Sequence, residues 1–168
     1  FGLVAIDDAI GPHATPAYKE RIWRGYERQV AQLAAQGAHV IVLPEKIAVQ
    51  APLEAQQTRR RLAALAAKHR VWIEAGIGID DGTQRRNLAW LWTPAGALAA
   101  EYQKHFMAPP EREFAKGTAY SVSSIDGAAY GLAICKDMHF AVLGRSNGQR
   151  RVAVMLVPAW DFQLDRWM

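Results

Sequence analysis

The sequence holds a single cysteine, Cys135, in the run GLAICKDMHF. A thiol attacks carbon only as its thiolate, and a neighbouring cation makes that ionisation easier. Lys136 follows Cys135 directly, and Lys104 closes the run EYQK. A carboxylate, Glu45, stands just past the apolar run HVIVLP. Such a carboxylate can take the thiol proton and return it to a leaving group. An ammonium can hold the oxyanion of a tetrahedral intermediate, helped by the backbone N–H of Lys136, the residue after the cysteine. Glu45, Lys104 and Cys135 together would make an acyl-transfer site that needs no histidine. Taken singly, each has a plainer role: a core thiol, a capping or surface carboxylate, a solvated lysine. The chemistry therefore depends on the fold bringing them together.

The surrounding pattern predicts elements that end at these residues. FGLVAI reads as a buried strand. From Tyr18 to Gln36 the residues Ile22, Tyr26, Val30, Leu33 and Ala34 recur at helical spacing, and Gly37 is placed to stop the helix. HVIVLPE is too short for a helix and rich in β-branched residues, the pattern of a strand covered on both faces. A second helix is expected from about Leu53 to His69, with Leu62, Leu65 and Ala66 inward. VWIEAGIGI is a strand, DDGT a hairpin turn before RNLAWLWTP, and PAG a further turn before ALAAEYQK. HFMAPPEREFAKG reads as a long irregular segment. A strand around Tyr120 to Ile125, the Asp126-Gly127 turn and a strand AYGLAIC ending on the cysteine follow. VAVMLVPAW is one more buried strand. Strand and helix alternate first and hairpins follow, so the expected fold is α/β in layers with mixed sheets, its site at the carboxyl ends of the strands.

Composition narrows the remaining options. With 168 residues, 51% of them hydrophobic and 21% charged, the chain suits one globular domain. The net charge is +4, but Arg59, Arg60, Arg61, Arg85, Arg86, Arg150 and Arg151 lack the interleaved aromatics of a single-strand binder, so nucleic acid is not expected as a partner. One cysteine excludes an internal disulfide framework, and no spacing of metal ligands appears. No apolar run reaches the length of a membrane span.

The stretches VIVLPEK, EYQKHF and AICKDMHF resemble the three signature segments of the nitrilase superfamily of carbon–nitrogen hydrolases, in the family's order. The resemblance extends through RRNLAWLWTPAGALAAEYQKHF to LVPAWDF and so covers nearly the whole chain. It implies a nitrilase-like αββα sandwich with mixed β-sheets, a thioester intermediate and no cofactor. Carried over position by position, it implies Glu45 as general base, Lys104 as the charge that stabilises the intermediate, and Cys135 as nucleophile. It also implies a further glutamate after the lysine; within PPEREFAKG the spacing points to Glu111, with Glu113 as rival. A Cys–His mechanism would recruit His105 or His139 instead. Asp137 reads as the holder of the turn after the cysteine. Trp160 and Asp161 are candidates to border the substrate pocket.

Within the superfamily, LPEK, ICKDM and LVPAWDFQLDRW look most like the apolipoprotein N-acyltransferase branch. That branch implies phospholipid and lipoprotein substrates, membrane helices in the parent protein and an extracytoplasmic site at the inner membrane. The alternatives are an amidase or nitrilase of the cytoplasm acting on a small amide or nitrile, and a non-catalytic binding domain of the same fold. The family's usual stacking of two αββ units into an αββα–αββα assembly implies a homodimer for soluble members, whereas membrane-anchored members need not pair. Because the chain opens inside an apparent strand and ends at RWM, the reading expects a domain incomplete at its C-terminus.

Overall fold

A computed structural model describes residues 1–160. Nine strands and three helices are described: β1 (Gly2–Leu3), α1 (Pro16–Ala35), β2 (Val40–Val42), β3 (Val49–Gln50), α2 (Pro52–His69), β4 (Trp72–Asp80), β5 (Arg85–Trp92), β6 (Leu98–Gln103), β7 (Val122–Ile125), β8 (Ala128–Leu132), α3 (Ala141–Gln149) and β9 (Val154–Leu156). Six strands form one sheet in the order β1-β2-β4-β5-β6, with β3 also paired to β4; β7-β8-β9 form a second. β1, β2, β3 and β4 run parallel, whereas β5 and β6 are antiparallel to their neighbours. In the second sheet β7 is antiparallel to β8, and β9 is parallel to it. Both sheets are mixed.

Local chemistry sets the helix limits. Thr15 caps α1 by accepting from Tyr18 N, and Pro16 occupies the first turn, where no amide is missed. Pro52 opens α2 in the same way, Glu54 lies in its first turn, and Lys68 and His69 lie in its last, matching the helix dipole. Ile22, Trp23, Tyr26 and Val30 of α1, with Ala55, Leu62, Leu65 and Ala66 of α2, pack on Ile41, Ile73, Ala75, Ile77, Leu88, Trp90 and Trp92. The opposite face of the same strands, including Val40, Val42, Ala89, Leu91 and Tyr102, packs on Ile125, Leu132 and Leu156 of the second sheet. β5 is therefore covered on both sides, which is why LAWLW is uninterruptedly apolar. On β8 a Cβ at Gly131 would meet Asn147 of α3 at 2.8 Å, so α3 closes the outer side of the second sheet. The layers read α-β-β-α, as expected.

Two expectations need correction, and one helix is new. FGLVAI is not a buried strand throughout: β1 is two residues long, and Phe1 and Leu3 are 69% and 77% exposed because β1 lies at the edge of its sheet. The strand expected to end on Cys135 stops at Leu132, and Cys135 instead opens a 3-10 turn, Cys135–His139. α3 was not foreseen, since AVLGRSNGQ carries two glycines and few apolar residues at helical spacing. No helix among the described residues is long and apolar enough to cross a membrane.

One buried side chain conflicts with the rest of the core. Glu74 of β4 points between the sheets, beside Val42 and Leu91 in register, with no exposure and no partner for either carboxyl oxygen among the described residues. Burial pushes its carboxyl well above the usual range. A group whose folded pKa is raised supports folding only below its unfolded value, near 4.5, and that support is lost as pH rises above it. Glu74→Leu is therefore expected to raise stability at pH 8 by ~1–3 kcal/mol and to gain less at pH 5. Urea unfolding at the two pH values checks this; an equal loss at both would show that the carboxyl is satisfied.

Candidate active site

Glu45 reaches its position through a break in the β2–β4–β3 ladder. Leu43 N donates to Glu74 O (2.8 Å) and Gly76 N to Pro44 O (3.1 Å), but the next donor to Gly76 O is Ile47 N (2.9 Å) rather than Glu45 N. Residues 45 and 46 are thus lifted out of the sheet as a bulge, with Lys46 in the left-handed region at φ 49°. The bulge lies directly on β4, where a Cβ at Gly76 would stand 2.5 Å from Glu45 Cα and 2.9 Å from Pro44 O. Only glycine fits there.

Lys104 lies one residue past β6 and keeps the ladder going, its N–H donating to Asn87 O (2.9 Å). Its side chain is 1% exposed, and its ammonium donates to Glu45 Oε1 (2.7 Å) and Glu111 Oε2 (2.5 Å). Asn87 Nδ2 donates to the same two carboxylates, at 2.6 Å to Glu45 Oε1 and 3.0 Å to Glu111 Oε1. Glu111 closes the 3-10 turn Pro109–Glu111, accepts from Ala108 N (3.0 Å) and forms a further ion pair with Lys46. Burial works against the Lys104 ammonium, but the charges and hydrogen bonds of Glu45 and Glu111 outweigh it and raise its pKa. Burial likewise works against Glu111, and the hydrogen bonds and charges of Lys104 and Lys46 outweigh it, holding its carboxyl down at about 2.

Cys135 stands half-buried at the head of its 3-10 turn with φ 41°, a conformation that costs a non-glycine residue about 1–2 kcal/mol. Two ties connect it to the cluster. Cys135 N donates to Pro158 O (3.0 Å), and Glu45 N donates to the next carbonyl, Ala159 O (3.2 Å), so the segment after β9 joins both backbones. Asp137, fully buried, accepts from Ile134 N (3.0 Å), Tyr102 Oη (2.8 Å), His105 N (3.2 Å) and Phe106 N (2.8 Å). One carboxylate thus holds the cysteine turn against the two residues that follow Lys104. Burial first, then the Asp137 charge, raises the Tyr102 phenol so that it stays a donor.

The remaining sequence candidates separate clearly. Glu113 is exposed and pairs with Arg85, leaving Glu111 as the glutamate at the lysine. His105 packs against Tyr102 and Tyr120 with Nε2 3.1 Å from Ala119 O, a packing role, and His139 is exposed. Lys136 is half-buried within the turn, and Trp160 is half-buried next to Ala159. Asp161 lies outside the described residues. Asn87 was not picked out from the sequence, although its stretch was; an asparagine on a covered strand is a buried polar group that demands partners, which was the available signal. Among the described residues no group of three or more His, Cys, Asp or Glu side chains is placed to hold a metal ion.

The chain belongs to the carbon–nitrogen hydrolase family, whose sequence profile matches residues 9–167. Among solved structures it is similar to an amidase from Nesterenkonia sp. AN1, with a TM-score of 0.77, 22% identity, and 94% of this chain and 65% of that one covered. A cysteine-to-alanine mutant of that amidase in complex with butyramide gives a TM-score of 0.79 at 22% identity, covering 94% and 63%. A glutamate-to-glutamine mutant, showing Michael addition of acrylamide at the active site cysteine, gives 0.77 at 22% identity, covering 94% and 65%. These likenesses establish the fold. The chain spans 65% or less of the length of those three structures. No curated protein sequence matches significantly.

The bulge makes a local test. Gly76→Ala places a methyl where Glu45 Cα stands and is expected to lower stability by ~1–3 kcal/mol and to displace Glu45. Gly144→Ala, on α3 with open space around it, is expected instead to stabilise by about 0.5–1 kcal/mol. Thermal unfolding of the pair, with alkylation of Cys135 as the readout of the cluster, checks the contrast; equal behaviour would remove the bulge argument.

Proposed function

We propose that the chain carries the site of a thiol-dependent hydrolase that cleaves the C–N bond of a small amide through a thioester on Cys135. The observation that carries this reading is the Lys104 ammonium, held by two carboxylates and tied through Asp137 to the turn that Cys135 opens. That the similar solved structures are amidases, one holding butyramide, supports amide as the substrate class.

In this mechanism Glu45 takes the proton of the Cys135 thiol. Its Oε1 already accepts from Lys104 and Asn87, which leaves Oε2 to receive the proton. The thiolate adds to the amide carbonyl carbon, and Lys104 Nζ with the backbone N–H of Lys136 holds the oxyanion. Glu111 keeps Lys104 aimed. Glu45 then gives its proton to the amide nitrogen, the C–N bond breaks, and ammonia leaves a thioester behind. Water adds to the thioester carbon as Glu45 takes one of its protons; the C–S bond breaks, and the proton returns to sulfur. Amide and water become carboxylic acid and ammonia.

The second reading, N-acyl transfer, uses the same thioester but resolves it with an amine; LPEK, ICKDM and LVPAWDFQLDRW favour it. Mass spectrometry after mixing with butyramide is expected to show an acyl adduct on Cys135, with ammonia released. Cys135→Ala should abolish both, and Lys104→Gln should slow adduct formation by about 10²–10³-fold. A thioester that persists in water yet is consumed by an added primary amine would favour transfer over hydrolysis. No adduct on Cys135 from any amide or ester acyl donor would end the thioester reading.

A further inference from the structure

The two buried carboxylates are met by two ammonium groups, and the reaction described above uses only Lys104. Lys46 forms an ion pair with Glu111 through Oε1, the oxygen that also accepts from Asn87 Nδ2, and its Nζ lies 4.0 Å from Glu45 Oε1 and 5.6 Å from the centre of the Phe114 ring. Lys104 is 1% exposed and Lys46 24%, so one ammonium sits inside the cluster and the other at its rim. The left-handed backbone of Lys46 is not incidental to this. The hydrogen bonds Gly76 N to Pro44 O and Ile47 N to Gly76 O pin the bulge on both sides of it.

Charge counting shows what the second lysine supplies. Glu45 and Glu111 against Lys104 alone leave one negative charge in a water-poor site; with Lys46 the four groups cancel. An uncancelled negative charge in a cluster joined to the Cys135 backbone through Pro158 and Ala159 would oppose thiolate formation and would draw Lys104 toward the carboxylates and away from a substrate carbonyl. The other titratable groups about the cluster are Asp137 and Lys136 on the cysteine turn, His105 after Lys104, Tyr102 of β6, whose hydroxyl donates to Asp137, and Glu74 of β4, and none of these is paired with Glu111 in the described ion pairs.

We propose that Lys46 is a positioning residue, balancing Glu111 so that Lys104 stays available to the reacting carbonyl and Cys135 ionises beside a neutral cluster. The proposal rests on Cys135 being the nucleophile. That Lys46 is among the groups holding the Glu111 carboxyl down agrees with it.

The test is the pH profile of Cys135 alkylation by iodoacetamide, measured on the unaltered chain, Lys46→Gln and Lys46→Arg, with thermal unfolding to establish that each is folded. Lys46→Gln is expected to move the alkylation midpoint up by about one pH unit, and Lys46→Arg to restore it to within a few tenths. Lys46→Met takes the place of the glutamine variant if the latter does not fold. An unmoved midpoint in the glutamine variant overturns the proposal, as does an arginine variant shifted equally far, since then charge is not what matters. A different result separates the two levels: an unaltered chain that titrates like an ordinary thiol, near pH 8.5, removes the nucleophile reading itself.

Discussion

A lysine ammonium with almost no access to water has to be surrounded by acceptors, and much of the sandwich near β6 is arranged to meet that requirement for Lys104. Two carboxylates accept from it, and the same two accept from Asn87. Removing either partner would strand a buried charge, a loss of about 3–5 kcal/mol, so the cluster is self-consistent only when complete. A hydrophobic replacement of comparable volume would satisfy folding as well or better. That the chain keeps ions at this position is an argument for chemistry rather than for stability. Glu74 makes the contrast within the same sheet. With no partner among the described residues, its carboxyl is pushed up by burial, whereas the Glu111 carboxyl, beside two ammonium groups, is held down.

The site is built where regular structure fails. β2 and β3 would form one continuous parallel partner for β4, but the chain inserts residues between them, and Gly76 lets the inserted backbone lie on the sheet. The strand before Cys135 stops short, and the cysteine takes a left-handed conformation at the start of a tight turn. Gly117 allows a third departure: its N–H reaches Lys104 O at 2.8 Å, where a Cβ would collide with Gln103 O. The bulge at Lys46 and the turn at Cys135 carry a conformational cost, and each is held by backbone hydrogen bonds to a neighbouring element. That is the condition under which strain persists.

Asp137 connects the cysteine turn to the strand that carries Lys104. Its carboxylate is fully buried and accepts two backbone amides from the segment after Lys104, one from the residue before Cys135, and the Tyr102 hydroxyl. Thiol turn and lysine strand belong to different sheets, so without such a connector their separation would follow every small shift of one sheet on the other. The segment after β9 acts in the same sense, offering successive carbonyls to Cys135 and Glu45.

The sequence by itself marked the layers and proposed Glu45, Lys104 and Cys135 as a trio. Helical spacing marked α1 and α2, continuous apolar runs marked the covered strands, and Glu45, Lys104 and Cys135 stood at or near the ends of such runs, inside segments that resemble those of one family. Periodicity reports which face of an element is buried, and burial is a property of one element at a time. What it does not carry is the meeting of elements. The bulge at Glu45, the left-handed turns at Lys46 and Cys135, the part played by Asn87, and the bonds by which Asp137 ties the cysteine turn to the residues after Lys104 were decided only by tertiary structure. Each depends on which donor stands opposite which acceptor across elements far apart in the chain, and a hydrogen bond of 2.7 Å leaves no trace in the spacing of residues along a single strand.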